Sequence, residues 1–403
     1  MLIRDHFPQG KMAFLVGPRQ VGKTTLAKQL LKERGSDDLY RNWDDLKWRR
    51  EISRSPYGFL DAYRPKGETK ALVALDEIHK FPRWKRYLKG LWDTRNEVVD
   101  VIVTGSGRLD VYQKGGDSLL GRYHQYRLHP LSVREVIDPT CPPISYEPDA
   151  TLNAIISAKG EPSKNISQTF YELLKWGGFP KPFLQKSERQ LRQWHHERKQ
   201  LIIREDLRDL TRIQLLSAVE ELVELLETRA GGILSYNSLR EDLQVAIDSV
   251  RLWVDYLKRL FFIYLVRPFA GNVARAIKRE PKLYLWDWSD ISDEGARFEN
   301  MVASHLLKWC HFCQDWGCQP LALHFVRDKE KREVDFLITK EKKPWLLIEA
   351  KLSDATPNPA VHYFANKLSV QHKFQVVADL KEPGMAGDVH VIDAPTFLAN
   401  LPV

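Results

Sequence analysis

The chain of 403 residues is too long for one ordinary hydrophobic core and has room for two to four domains. Hydrophobic residues make up 43% and charged residues 28%, which excludes a disordered chain, and no apolar run approaches the roughly 18 residues of a membrane-spanning helix. A formal net charge of +8 and a pI near 9.1 favour an anionic partner such as nucleic acid without naming one. The apolar run at the N-terminus is too short for a secretion signal, so the expectation is a soluble cytoplasmic protein.

Residues 12–137 alternate apolar runs ("MAFLV", "ALVALDE", "VVDVIVTGS") with helical patterns ("TTLAKQLLKE", "WKRYLKGLWD"), which predicts a parallel α/β sheet. Between the first run and its helix lies "GPRQVGKT", which fits G-x4-G-K-[ST] in a strand–loop–helix context. Such a loop curls backbone N–H groups around phosphates at a helix N-terminus. The nucleotide-contacting set is therefore Gly17, Pro18, Arg19, Gln20, Val21, Gly22, Lys23, Thr24, Thr25 and Asp76. Lys23 would reach the β- and γ-phosphates of ATP, and the Thr24 hydroxyl would bind Mg²⁺. The run at 71–77 ends in two acids: Asp76 would hold Mg²⁺ and Glu77 would orient the attacking water. The run at 98–106 ends in polar Thr104 and Ser106, with Ser106 either a γ-phosphate sensor or a helix cap. Arg122 is either a finger presented to a neighbouring subunit or a surface arginine.

Residues 138–165 are rich in proline, glycine and small polar residues and read as a linker or insertion. Helical patterning dominates 166–215. Within 216–275, "LSAVEELVELLETRAGG", "SLREDLQV" and "DSVRLWVDYLKRL" suggest three helices, with Ser238 and Glu241 in a capping-box spacing and Asp248 as a cap. The last helix has an apolar stripe of Val250, Trp253, Val254, Leu257 and Leu260, and "FFIYLVRPF" follows as a strand. This order resembles a winged helix, which docks on DNA in some proteins and acts as a spacer or protein contact in others.

From 276 onward the pattern returns to mixed α/β. Two strand-like runs, "VDFLIT" and "WLLIEAK", carry Asp335, Glu349 and Lys351, and Glu299 lies on an upstream helix. Together they look like a PD-(D/E)XK nuclease set, with Val334 where proline is usual. Glu299, Asp335 and Glu349 would bind Mg²⁺ and Lys351 would help activate water. The alternative is a nuclease fold retained only for gripping DNA or a partner. Cys310, Cys313 and Cys318, with His305 and His311 nearby, form either a zinc-type cluster or plain thiols at a helix end; Cys141 stands apart.

Across nearly the whole chain, "GPRQVGKTTLA", "NWDD", "LDEIHKFPRWKRYLKGLWD", "TGSGRLD", "SLLGRYHQYRLHPLSVREV" and "GGFPKPF" resemble prokaryotic AAA+ ATPases whose P-loop core is fused to a C-terminal domain of unknown function. The resemblance implies an AAA+ core at 1–137, a helical lid at 166–215, a winged helix at 216–275 and a restriction-endonuclease-like α/β domain at 276–403. It also implies ATP with Mg²⁺ as cofactor, DNA or a protein as partner, and a homo-oligomeric ring, with a hexamer as its expected size.

Overall fold

The computed structural model describes residues 3, 7–61, 70–105, 119–139, 147–158, 162–207, 216–270 and 279–403. Ser106 and Cys141 lie outside the described residues. The chain divides into two compact units: Met1–His129 with Arg259–Phe261, and Pro130–Lys258 with Phe262–Val403.

The first unit is built on five parallel strands, β1 (Met12–Val16), β2 (Tyr40–Asn42), β3 (Ala71–Asp76), β4 (Val99–Thr104) and β5 (Tyr123–Arg127), in the order β2-β3-β4-β1-β5. The inner strands are near-continuous apolar runs because helices cover both faces of such a sheet; every residue of β1 and β3 is buried. Edge strands β2 and β5 are only half-buried and carry polar residues. Helix α1 (Lys23–Glu33) buries Leu26, Ala27, Leu30 and Leu31 at helical spacing. Helix α2 is Leu46–Arg54, and α3 (Trp84–Arg95) buries Trp84, Tyr87, Leu88, Leu91 and Trp92. The parallel register brings the carboxyl ends of the inner strands to one edge: Asp76 pairs with Thr104, Asn42 with Asp76, and Leu15 with Thr104. Ligands of open parallel sheets bind at that edge.

The second unit begins with helices α4 (Val133–Ile137), α5 (Pro148–Ser157), α6 (Lys164–Trp176), α7 (Pro180–Gln185) and α8 (Glu188–Gln200) and a π-helical segment, Leu201–Leu207. Helices α9 (Leu216–Thr228), α10 (Tyr236–Leu243) and α11 (Ile247–Arg259) follow. The stretch read as a linker, 138–165, thus contains helix α5, whose Thr151, Leu152 and Ile155 are buried. The expected capping box is corrected: Ser238 lies inside α10, whose N-cap is Ser235. Asp248 is likewise not a cap but lies in the first turn of α11, which starts at Ile247.

Eight strands form the second sheet, in the order β12-β13-β11-β10-β9-β8-β6-β7. They are β6 (Ile263–Pro268), β7 (Lys282–Leu285), β8 (Leu321–Arg327), β9 (Glu333–Lys340), β10 (Lys343–Lys351), β11 (His372–Val377), β12 (Gly384–Ala386) and β13 (Val389–Asp393). Helices α12 (Glu294–Trp316), α13 (Pro359–Leu368) and α14 (Ala394–Ala399) complete the unit. Strand β6 pairs antiparallel with β7 and parallel with β8, so "FFIYLVRPF" contributes a strand to this sheet.

Polar bonds tie these elements where apolar packing alone would leave buried groups orphaned. The fully buried Asn300 amide on α12 donates to the Leu285 carbonyl and accepts from the Leu285 N–H, both at 2.8 Å. Trp288 Nε1 donates to the Leu173 carbonyl across 2.7 Å, and Trp194 Nε1 donates to Asp287 across 2.8 Å. Gly178 has to be glycine here: a Cβ would lie 2.5 Å from the Trp288 ring and 2.8 Å from the Leu131 carbonyl oxygen.

Candidate functional site

The loop 17–22 leaves the buried end of β1 and enters α1. Gly17 takes φ +149°, and a Cβ there would sit 2.2 Å from the Leu128 carbonyl oxygen. Only glycine permits that approach. Lys23 is buried, and its ammonium donates to the carbonyls of Gly17 (2.9 Å) and Pro18 (2.5 Å), closing the loop on itself.

Asp76, at the end of β3, gathers three hydroxyls. Thr24 donates to Oδ2 across 2.9 Å, Tyr40 donates to the same oxygen across 2.7 Å, and Thr104 donates to Oδ1. Asp76 is 4% exposed and Thr104 is fully buried. Burial and then the bond to Asp76 raise the Tyr40 phenol far above its ordinary range. The Thr24 hydroxyl and Asp76 carboxylate are adjacent hard oxygen donors, a set that fits the Mg²⁺ of a magnesium nucleotide.

Glu77, next along the chain, sits at φ +56°, a conformation few non-glycine residues adopt. Its N–H donates to the Thr104 carbonyl (3.0 Å), and its carboxylate meets Lys80 at 3.3 Å. Burial pushes the Glu77 carboxyl above the usual carboxylate range, opposed by Lys80 and reinforced by Asp76. Arg122 lies outside this network: its guanidinium grips Asp93 on α3 through two bonds, of 2.8 and 3.2 Å.

In the second unit, four of the predicted residues converge. Strands β9 and β10 are antiparallel with Ile348 facing Phe336, and beyond that pair the Asp335 N–H donates to Glu349 Oε2 (3.3 Å). Asp335 Oδ2 accepts from the Ala350 N–H (3.1 Å). Glu349 Oε1 accepts from Asn358 (2.7 Å) and Lys351 (2.8 Å). Glu299 reaches the group from α12 and accepts from the Tyr284 hydroxyl (2.7 Å). At the centre is the Lys282 ammonium, 3% exposed, at 3.1 Å from Glu299, 2.7 Å from Glu333 and 3.1 Å from Asp335. Burial, then Asp335, raise the Glu299 carboxyl to about 7, against Lys282 and Tyr284. Burial, then Asp335, also raise Glu349. Among the described residues, no three His, Cys, Asp or Glu side chains are grouped as a metal site.

The cysteine cluster resolves differently. Cys310 and Cys313 are buried thiols on α12, and Cys318 follows the helix end. Burial raises the Cys318 thiol to about 11. His305 has both ring nitrogens engaged: Nδ1 lies 2.8 Å from the Met301 carbonyl, and Nε2 lies 3.2 Å from the Val133 N–H. It therefore has no lone pair to spare.

A cavity of about 490 Å³ opens between the start of α10, α11 and the β6–β7 hairpin, lined by Tyr236, Asn237, Arg251, Arg267, Arg279 and Glu280 among others. Arg251 meets Asp248 at 3.4 Å, while among the described residues Arg267 and Arg279 form no ion pair.

Sequence reasoning missed Tyr40, Lys282, Tyr284, Glu333 and Asn358. Lys282 left little signal, because it opens the run "KLYLW" directly after the charged stretch "KREP" and reads as a flanking charge. Tyr40 left none, because its role depends on which strand lies beside β3.

The strand order and the glycine loop define an AAA+ ATPase-like core. Residues 9–137 match the family model of an AAA domain, 167–289 that of a domain of unknown function (DUF8612), and 294–397 that of another (DUF4143). An uncharacterized protein of Methanocaldococcus jannaschii is 25% identical over 335 residues, covering 74% of this chain and 68% of its own. Uncharacterized proteins of Mycobacterium bovis and Mycobacterium tuberculosis are each 21% identical over 370 residues, covering 85% of this chain and 71% of theirs. Among solved structures, the Aeropyrum pernix ORC1 protein in complex with DNA superposes with a TM-score of 0.31 at 13% identity, covering 76% of this chain and 90% of that one. C. elegans PCH-2 gives 0.28 at 15% identity, covering 44% and 55%. Overlaps this loose carry no argument about this chain. No helix among the described residues is long and apolar enough to cross a membrane.

Proposed function

We propose that this chain is an ATP-hydrolysing AAA+ protein that binds and remodels DNA, with branched or other non-B forms as its substrates in recombination, repair or defence. The observation that carries the ATPase half is the convergence on Asp76 of Thr24, Thr104 and Tyr40, beside the Lys23 loop and Glu77. ATP with Mg²⁺ would be the cofactor: Lys23 and the loop amides would hold its phosphates, Thr24 and Asp76 would hold the metal, and Glu77 would orient and polarise the attacking water. Ser106 is the sensor, and Arg122 is a finger for a neighbouring subunit in a homo-oligomeric ring of hexameric size.

Charge supports the DNA half. The net charge is +8, and residues 216–275, read as a winged helix, supply Arg251 and Arg267 to a cavity that Arg279 also lines. The nuclease-like C-terminal domain recognises or cuts the DNA. Steady-state ATP turnover with linear, single-stranded and four-way-junction DNA tests the reading. Stimulation supports it; no stimulation together with no salt-sensitive binding refutes it.

A second reading is a nucleotide-dependent switch on protein partners with a vestigial nuclease fold. The ammonium inside the carboxylate cluster favours it. A Glu77→Gln chain that traps a protein and no DNA would select this reading.

A further inference from the structure

We infer that the Lys282 ammonium is the resident cation of the C-terminal carboxylate cluster and keeps divalent metal out of it. The inference concerns occupancy alone, so it stands or falls independently of whether DNA or protein is the partner.

An ammonium has three N–H donors, and the cluster offers three acceptors within bonding distance: Glu299 Oε1, Glu333 Oε1 and Asp335 Oδ1, at 2.7 to 3.1 Å. The donors of Lys282 are fully used. Three further cluster oxygens are also engaged: Asp335 Oδ2 by the Ala350 N–H, Glu349 Oε2 by the Asp335 N–H, and Glu349 Oε1 by Asn358 and Lys351. Glu299 Oε1 is further bound by Tyr284, and Glu333 by Arg327 at 2.8 Å.

Mg²⁺ requires near-octahedral oxygens at about 2.0–2.1 Å and retains several waters. The donor set that the nuclease resemblance assigns to a metal is already turned toward protein N–H and O–H groups, so it does not fit that ion. Nor can Lys282 easily withdraw. It is 3% exposed on β7, between β6 pairing on one side and the Phe325 ring 5.8 Å from its ammonium. A divalent ion beside the ammonium would meet direct charge repulsion in a poorly screened site. A buried lysine at the start of a strand, with every donor matched to a carboxylate, is the arrangement expected of a built-in counter-ion.

The test is Mn²⁺ binding to the full, nucleotide-free chain, followed by loss of the free-ion EPR signal. Wild type and Asp335→Asn should bind the same number of equivalents, because the cluster supplies no site. Lys282→Ser should gain one equivalent, lost again in Lys282→Ser/Asp335→Asn. A wild-type equivalent that Asp335→Asn removes would overturn the inference. So would a folded Lys282→Ser chain that gains no site, since another group would then be excluding the metal. The wild-type comparison with Asp335→Asn decides the first point even if Lys282→Ser does not fold.

Discussion

The Thr24 hydroxyl donates to Asp76 Oδ2 across 2.9 Å, joining the first turn after the glycine loop to the end of β3 fifty-two positions later. The glycine loop and the oxygens proposed to hold the metal are thereby joined at one sheet edge. Glu77 is displaced from that network by its left-handed backbone and engages Lys80 instead. Glu77→Gln should retain ATP affinity while turnover falls on the order of 10²- to 10⁴-fold, the range for loss of a general base. Filter binding of ATP beside phosphate release checks both halves.

Arg122 is held by Asp93 of its own chain through two bonds. As a finger, it would have to exchange that partner for a neighbour's nucleotide on assembly. Arg122→Ala should then cut turnover on the order of 10³-fold or more, and adding a hydrolysis-dead Glu77→Gln chain with intact Arg122 should restore activity in mixed assemblies. Unchanged turnover would make Arg122 a surface ion pair only.

The arginine-lined cavity predicts salt-dependent binding. Arg267→Gln and Arg279→Gln should weaken DNA affinity uniformly across sequences and each reduce the slope of log K against log salt by about one. A titration at several salt concentrations measures it.

His305 makes one pH prediction. Its burial, against the Met301 carbonyl bond, lowers its pKa from 6.5 to about 4. The native state therefore holds a neutral ring, while the unfolded chain takes a proton below 6.5. Stability from this group is complete above pH 6.5 and is lost as pH falls toward 4, by about 3 kcal/mol in all. The Lys308 charge adds to this lowering and the Glu135 charge opposes it. In His305→Gln the urea-midpoint difference between pH 7 and pH 4.5 should shrink accordingly.

Asn300→Ala would leave the buried Leu285 N–H and carbonyl without partners. Two such groups cost about 2 to 5 kcal/mol, so the variant should unfold at visibly lower denaturant concentration.

Legibility in the sequence followed the range of the interaction. The glycine loop, the acids ending β3 and the apolar runs of β1, β3, β9 and β10 are local signals, and their elements appear where expected. Asp335 and Glu349 could be paired because both end strand-like runs. Lys282 and Tyr284 could not, since a strand fifty residues upstream joins the same cluster only through the sheet order β8-β6-β7. The cap assignments at Ser238 and Asp248 failed for a related reason: Ser235 and Ile247 start those helices because tertiary packing, not spacing, sets where a short helix begins.

The central claim is that phosphate hydrolysis at Asp76 and Glu77 serves work on DNA. The most direct measurement is ATP turnover by the full chain with and without four-way-junction DNA, in wild type and in Glu77→Gln. The account predicts turnover that DNA accelerates in wild type and that vanishes in the variant while ATP remains bound. Equal rates with and without DNA, or undiminished hydrolysis in Glu77→Gln, would contradict it.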